Sequence, residues 1–241
     1  YMNQLTFKPS LYQYKACRDF VSNFSIGEGD LIITSKTCYQ TFLEPLHLLA
    51  DVIFPRDYGS GEPTDAMVTA MYQDIAKKSD YQRVIGIGGG SVLDIAKLFV
   101  LETIFPLTEL FDRNLPVKKV KPLLLVPTTC GTGSEVTNIS VLSFLERGSK
   151  QGLADDELFA DAAILIPELM SNLPYEVFAT SSIDALIHAI ESSLSPRATR
   201  YTKLFGYQAI TMIMKGYQKI ALEKVPYQEL LEEFLVASNF A

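Results

Sequence analysis

The sequence predicts an α/β fold, with an N-terminal parallel-sheet domain over residues 1–170 and an all-helical domain that begins within 171–241 and is incomplete. Three observations predict it. Short aliphatic and β-branched runs alternate with longer segments of helical periodicity, as βαβ units do. Two of those runs pass directly into loops rich in glycine or hydroxyl side chains. Beyond Pro174 only helical periodicity remains.

Taken in order, Leu31–Thr34 reads as a strand, Thr37–Leu49 as a helix and Asp51–Phe54 as a second strand. The glycine-bearing stretch Tyr58–Pro63 is a loop. It leads to a helix ending at Lys78, with Thr64 as its N-cap. Arg83–Ile87 is a buried strand, Val92–Thr103 the helix after it, and Pro122–Val126 and Ala162–Ile166 are further strands. Tyr175–Leu194, Thr199–Ala221 and Pro226–Ala241 are helices. The last carries Leu230, Leu231, Phe234, Leu235 and Ala237 on an apolar face with no cap after it, which predicts that the helical domain continues further.

Composition narrows the function. Hydrophobic residues make up 48% and charged residues 20% of 241, which excludes disorder. The net charge of −7 excludes nucleic acid as the main partner, because phosphate binding needs a basic face. Cys17, Cys38 and Cys130 are too few and too scattered for a disulfide framework or a thiolate zinc site, so reduced thiols in a cytoplasmic protein are expected. The longest apolar runs fall far short of the roughly 18 residues of a spanning helix, and no signal-peptide pattern opens the chain. The expectation is a cytoplasmic small-molecule enzyme without a membrane partner.

Three motifs carry chemistry. In Val84–Ser91 (VIGIGGGS) a strand ends in Gly88, Gly89 and Gly90, and Val92–Lys97 (VLDIAK) continues as a helix. Glycines let the backbone turn sharply and approach a ligand, and the helix N-terminus offers free N–H groups and positive potential. A diphosphate fits there, held by Ser91 and backbone amides, with Asp94 in the first helical turn accepting ligand hydroxyls. A turn that only tightens strand-to-helix packing is the plainer alternative, and the spacing is not Gly-x-Gly-x-x-Gly.

In Val126–Thr137 (VPTTCGTGSEVT) a second strand is followed by Thr128, Thr129, Thr132, Ser134 and Thr137. Such a loop can hydrogen-bond a ribose, an amide or a phosphate, and can equally be a solvated loop. Two loops at the carboxyl ends of strands form the geometry in which open α/β sheets bind ligands. In Asp184–Glu191 (DALIHAIE), Asp184 and His188 lie four apart on one helix face. Oxygen and imidazole donors at that spacing can ligate Fe²⁺ or Zn²⁺, or can simply hydrogen-bond each other. The other histidine, His47, lies in an early helix and is assigned to packing or surface.

Together, Gly88–Lys97, Pro127–Glu135 and Asp184–Glu191 resemble, in sequence and order, the hallmark segments of the iron-containing alcohol dehydrogenases, and the resemblance spans essentially the whole chain. It implies a dinucleotide-binding domain, a helical metal-binding domain and a cleft between them. By matched position, Gly88, Gly89, Gly90, Ser91 and Asp94 would serve the diphosphate and neighbouring ribose. Thr128, Thr129, Thr132, Thr137 and Lys150 would serve the nicotinamide half. Asp184 and His188 would be two of four metal ligands, the other two being histidines of a later segment that this chain does not contain. Fe²⁺ is the implied metal, with Zn²⁺ as the alternative.

Where the family often has an aspartate after the first strand, this chain has Ser35 followed by Lys36. Serine tolerates NAD or NADP, and the closer resemblance of Val126–Val141, Gly152–Leu158 and Leu173–Pro196 favours NAD. That closer resemblance is to members interconverting 4-hydroxybutyrate and succinate semialdehyde by metal-assisted hydride transfer, with Arg197 and Arg200 as candidate carboxylate anchors. The alternatives are another alcohol or polyol dehydrogenase of the superfamily, or a nucleotide-binding fragment without activity. A homo-oligomer is expected.

Overall fold

The computed structural model describes residues 7–78 and 80–241. Its centre is a six-stranded, wholly parallel sheet. The strands are β1 (Ser10–Gln13), β2 (Asp30–Thr34), β3 (Asp51–Ile53), β4 (Arg83–Gly88), β5 (Leu123–Pro127) and β8 (Ala162–Leu165), in the order β1-β8-β5-β4-β2-β3. A separate antiparallel hairpin pairs β6 (Ile139–Phe144) with β7 (Ser149–Ala154). The helices are α1 (Cys17–Asn23), α2 (Lys36–Cys38), α3 (Asp65–Lys78), α4 (Gly90–Leu98), α5 (Leu107–Phe111), α6 (Tyr175–Leu194), α7 (Arg200–Gln218) and α8 (Leu231–Phe240).

The central strands alternate their side chains between two cores, as a sheet covered on both faces requires. Leu31, Ile33, Val84, Leu123 and Leu125 face one core with Val68, Met71 and Ile75 of α3 and Leu93 and Ala96 of α4. Ile32, Ile85, Ile87, Leu124 and Val126 face the other with Cys17 and Phe20 of α1. A third core, around Phe178, Ala185, Ile213, Phe234 and Leu235, binds α6, α7 and α8 to one another. Leu165 and Cys130 belong to it, so the helical segment packs on the end of the sheet that carries the loops.

Several boundaries differ from the expectation, for identifiable reasons. The helix read over Thr37–Leu49 is α2 followed by a π turn over Tyr39–Leu43 and a 3₁₀ turn over Glu44–Leu46, ending at exposed His47 with φ +50°. Pro45 has no N–H to continue an α-helix. Helix α4 begins at Gly90, not Val92, and ends at Leu98, not Thr103. The following residues are drawn into an antiparallel pairing, Val120 N–H to Val100 O at 2.8 Å and Glu102 N–H to Lys118 O at 2.9 Å. Asp94 therefore lies two residues deeper than expected, in the second turn; no acidic residue occupies the first turn of α4. Thr64 does cap α3, its Oγ1 accepting from Met67 N–H at 3.1 Å.

Helices α6 and α7 approach closely at Gly206, where a Cβ would collide with Ser193 Oγ and lie 2.9 Å from Ala189 O. Overpacking of this kind costs about 1–3 kcal/mol, against which alanine recovers roughly 1 kcal/mol of helix propensity. Gly206→Ala is expected to lower unfolding free energy by up to about 2 kcal/mol, read as a lower urea midpoint at unchanged m-value.

Candidate functional site

The sheet order reverses direction between β2 and β4: from β2 the chain goes outward to β3, then returns to lay β4 on the other side. Ligands of open parallel sheets bind outside the carboxyl ends of the strands at such a point. Here β4 runs to Gly88, Gly89 is the extended N-cap (φ −74°, ψ 176°), and α4 starts at Gly90. Gly89 O accepts from Val92 N–H at 2.9 Å, while the first-turn amides of Gly90 and Ser91 have no helical acceptor. Thr128 N–H donates to Gly88 O at 3.0 Å, locking the ends of β4 and β5 together.

The three glycines differ in what they do. A Cβ on Gly88 would stand 2.6 Å from Val92 Cβ, and one on Gly90 would stand 2.8 Å from the Thr132 side chain. Those two satisfy packing. A Cβ on Gly89 would meet only Thr129, at 3.6 Å, so packing does not demand a glycine there.

Two clefts flank this turn and share Pro63, Gly90 and Ser91 in their walls. One, of about 300 Å³, is lined by Thr34 and Ser35 after β2, Pro55 and Arg56 after β3, Gly89 and Val92 after β4, and Thr129 after β5. The other, of about 230 Å³, lies between α4 and the β6–β7 hairpin, with Asp94, Thr132, Ser134, Val141 and Lys150 in its wall. A two-lobed ligand with a diphosphate at its waist matches this pair of clefts joined at a helix N-terminus.

The expected contact residues separate among these surfaces. Ser35 Oγ accepts from Cys38 N–H at 3.1 Å and lines both the larger cleft and a smaller recess that also holds Thr128. Thr129 lines the larger cleft and Thr132 the smaller. Thr137 instead accepts from the Lys97 ammonium at 3.1 Å. Lys150 projects from β7 and pairs with Glu62 at 2.5 Å, both more than half exposed, an arrangement readily exchanged for a ligand contact. Asp94 Oδ1 accepts from Ser134 Oγ at 2.6 Å and Oδ2 from Val141 N–H at 3.1 Å, so the carboxylate organises the cleft wall as well as facing it.

Two buried charges escaped the sequence reading. Lys97 is fully buried, and burial pulls its ammonium pKa below the ordinary lysine value although Asp94 and Glu135 oppose the shift. Glu135 is 1% exposed, and burial pushes its pKa up to about 7. Its Oε1 accepts from Asn239 Nδ2 of α8, while Oε2 is without a hydrogen-bond partner. The available signal was a lysine inside the apolar run Ile95–Leu98; the Glu135–Asn239 contact spans 104 residues and leaves no local trace.

Asp184 and His188 sit half-exposed on α6, with Nε2 and Oδ1 3.8 Å apart. Ser181, Asp184 and His188 follow a three- and four-residue spacing and so share one stripe of the helix. Ser181 touches the hydroxyl-rich loop: a Cβ on Gly131 would be 2.8 Å from Ser181 O, and Cys130 Sγ lies 3.5 Å from Ser181 Oγ. The metal-competent pair is thus carried on the stripe that meets the second loop. At 3.8 Å the two donor atoms are too far apart to hydrogen-bond well, yet small rotations let both approach one ion at about 2.1 Å. Among the described residues no group of three or more His, Cys, Asp or Glu side chains gathers to hold a metal, so this pair is a partial donor set. Arg197 and Arg200 are exposed beyond the end of α6, at least one and a half helical turns from His188.

Comparison with known proteins gives the family and the fold. The family model "Iron-containing alcohol dehydrogenase" matches residues 13–167, and that of the C-terminal part of the Fe-containing alcohol dehydrogenases matches residues 178–241. The chain is 44% identical over 241 residues to 4-hydroxybutyrate dehydrogenase of Clostridium kluyveri, covering all of this chain and 65% of that enzyme. It is 37% identical over 179 residues to long-chain-alcohol dehydrogenase 1 of Geobacillus thermodenitrificans, covering 72% of this chain and 43% of that one. Among solved structures, sulfoacetaldehyde reductase from Bifidobacterium kashiwanohense in complex with NAD⁺ superposes with a TM-score of 0.84 at 25% identity, covering 100% of this chain and 66% of that one. An iron-containing alcohol dehydrogenase from Thermotoga maritima gives 0.79 at 25% identity over 98% and 67%. The chain therefore spans about two thirds of the length of the 4-hydroxybutyrate dehydrogenase and of the two solved structures, and the match covers less of the long-chain-alcohol dehydrogenase. It belongs to the iron-containing alcohol dehydrogenase family.

Proposed function

We propose that the protein transfers hydride reversibly between NAD(H) and a primary alcohol or aldehyde with the help of a divalent iron ion, and that its substrate pair is 4-hydroxybutyrate and succinate semialdehyde. The observation that carries the reading is the glycine turn at the sheet's reversal point, with a cleft on either side. The 44% identity to 4-hydroxybutyrate dehydrogenase over the whole chain supports the substrate, and the NAD⁺ complex of the sulfoacetaldehyde reductase supports the cofactor.

In this reading residues 1–170 bind the dinucleotide and residues from 171 onward carry the metal ligands. The amides of Gly90 and Ser91 and the Ser91 hydroxyl hold the diphosphate, with Gly89 leaving it room and Gly88 packed against Val92 behind the turn. Ser35 accepts the adenosine ribose; a neutral serine admits NADP as the second choice. Thr132, Thr137 and Lys150 orient the nicotinamide half, and Asp94 accepts from a ribose hydroxyl; Thr129 and Thr128, expected on that half, lie instead on the Ser35 side and serve the adenosine lobe. Asp184 and His188 would hold the ion, with Zn²⁺ as the alternative to Fe²⁺. Bound there, the metal would supply charge stabilisation to the substrate oxygen and the nicotinamide would supply the hydride acceptor. The reading extends to a cytoplasmic homo-oligomer, which the acidic charge and the buried free cysteines suit.

The test is NADH oxidation with succinate semialdehyde, sulfoacetaldehyde and propionaldehyde, before and after chelation and after Fe²⁺ addition. Succinate semialdehyde is expected to be reduced fastest, with activity lost on chelation and restored by iron. A preference for another aldehyde, or turnover indifferent to chelation, would contradict the proposal. His188→Ala is expected to weaken Fe²⁺ binding by roughly tenfold or more. Because the side chain is half-exposed, its melting temperature should barely move.

A further inference from the structure

We infer that Lys97 is a positioning residue for the nicotinamide half of the site: its buried ammonium sets the spacing between the diphosphate-binding helix and the hydroxyl-rich loop without touching the ligand. The inference rests on reading the two clefts as a dinucleotide site.

Lys97 lies near the C-terminal end of α4, and its side chain is wholly inaccessible. An ammonium has three protons to donate. Lys97 Nζ donates to Ser134 Oγ at 2.8 Å, Thr137 Oγ1 at 3.1 Å and Ile139 O at 2.6 Å, with Asp94 Oδ1 a longer contact at 3.4 Å. The three short contacts are successive stations along one segment, the stretch that leaves the hydroxyl-rich loop and enters β6.

Asp94, one turn upstream on α4, grips the same segment and shares Ser134 Oγ with Lys97. It accepts from Ser134 Oγ and Val141 N–H, and its carbonyl accepts from Ser140 Oγ at 2.8 Å. Residues 134–141 are therefore hung on α4 by one lysine and one aspartate.

The smaller cleft has α4 residues on one side and this segment on the other. Lys97 stands behind that wall and is absent from the lining. The larger cleft is formed by the ends of β2 to β5 and the glycine turn, and Lys97 reaches none of those residues.

A purely space-filling role would be met by leucine or methionine without the cost of desolvating a charge. Here an apolar side chain would leave Ser134 Oγ short of a donor in a buried setting, and Thr137 Oγ1, Ile139 O and Asp94 short of one in a part-buried setting, which favours rearrangement of the segment. The consequence divides along the ligand. The lobe in the larger cleft, where Ser35 would meet the adenosine ribose, keeps its walls. The lobe in the smaller cleft loses one of them.

The experiment is a pair of calorimetric titrations, with ADP and with NAD⁺, on wild type and Lys97→Met, with thermal melts alongside. The expected result is ADP affinity within about twofold of wild type and NAD⁺ affinity lowered roughly tenfold or more, so that NAD⁺ loses its advantage over ADP. Equal losses for both ligands would reduce Lys97 to a general stabiliser and overturn the proposal, as would unchanged NAD⁺ affinity. If Lys97→Met does not fold, Lys97→Gln, shorter and uncharged but still a donor, is read by the same two titrations and the same criteria. Wild type that binds neither ADP nor NAD⁺ would instead remove the dinucleotide reading on which the proposal stands.

Discussion

Gly89→Ala is expected to weaken dinucleotide binding about ten- to a hundredfold while the protein remains as stable as wild type or slightly more so. The backbone at Gly89 has φ −74° and ψ 176°, which alanine adopts without strain, and the new methyl group would meet only Thr129 at 3.6 Å. A glycine replaced where its conformation is freely available stabilises by about 0.4–1 kcal/mol through the unfolded chain. The same methyl group lies in the wall of the larger cleft, where a bound diphosphate must approach the backbone. Forcing a group into such a contact costs about 1–3 kcal/mol, or roughly 5- to 150-fold in affinity, a range that brackets the stated loss. Gly88→Ala and Gly90→Ala should behave oppositely, losing stability first because their methyl groups would run into Val92 and Thr132. Thermal melts and NAD⁺ titration of the three variants separate these outcomes. Equal loss of stability at all three positions would show that the turn serves packing alone.

Glu135→Gln is expected to stabilise the protein by about 1–3 kcal/mol at pH 8 and to be neutral or destabilising by up to about 1 kcal/mol near pH 4.5. Burial raises the folded-state pKa of Glu135 from the ordinary 4.5 to about 7. The unfolded chain therefore releases this proton at lower pH than the folded one, and stability falls as pH rises from about 4.5 to about 7, then levels off. At about 1.4 kcal/mol per unit, the full penalty is on the order of 3 kcal/mol. Glutamine keeps the shape and an acceptor for Asn239 and never ionises. Its amide N–H₂ inherits the place of an oxygen that has no partner, which subtracts roughly 1 kcal/mol or more. Urea unfolding of both proteins across this pH range checks the sign: wild type should lose stability relative to Glu135→Gln as the pH rises. Parallel curves would mean that Glu135 is not held protonated by the fold.

What could be read in the sequence follows burial and locality. β2, β4, β5 and β8 stood out because strands covered on both faces are nearly continuous apolar runs. β1 did not, since all four of its residues are exposed at the sheet edge and carry no pattern. The β6–β7 hairpin was hidden for a related reason: it lies off the sheet, and its alternation starts directly after the hydroxyl-rich loop. Helix α6 was legible from Tyr175 to Leu194, and with it the Asp184–His188 spacing, because both depend only on local periodicity. The glycine turn was legible as a turn, but the division of labour between Gly89 and its neighbours is set by where Val92, Thr129 and Thr132 stand in three dimensions. Asp94 was assigned to the ligand, whereas three of its contacts are to Ser134, Val141 and Lys97. Lys97 and Glu135 were missed because a buried charge is recognised by its partners, and apart from Asp94 beside Lys97 those partners lie 37 to 104 residues away.

The central claim is that a nicotinamide dinucleotide sits at the turn Gly88–Ser91 with one lobe in each flanking cleft. Titrating NAD⁺ into isotopically labelled protein and following backbone amide shifts tests it most directly, and a 26.8 kDa chain is within reach of the method. The account predicts saturable one-site behaviour, with the largest shifts at Gly89, Gly90 and Ser91 and further shifts at Ser35, Thr129 and Thr132. Absence of saturable shifts, or shifts confined to residues 175–241, would contradict it.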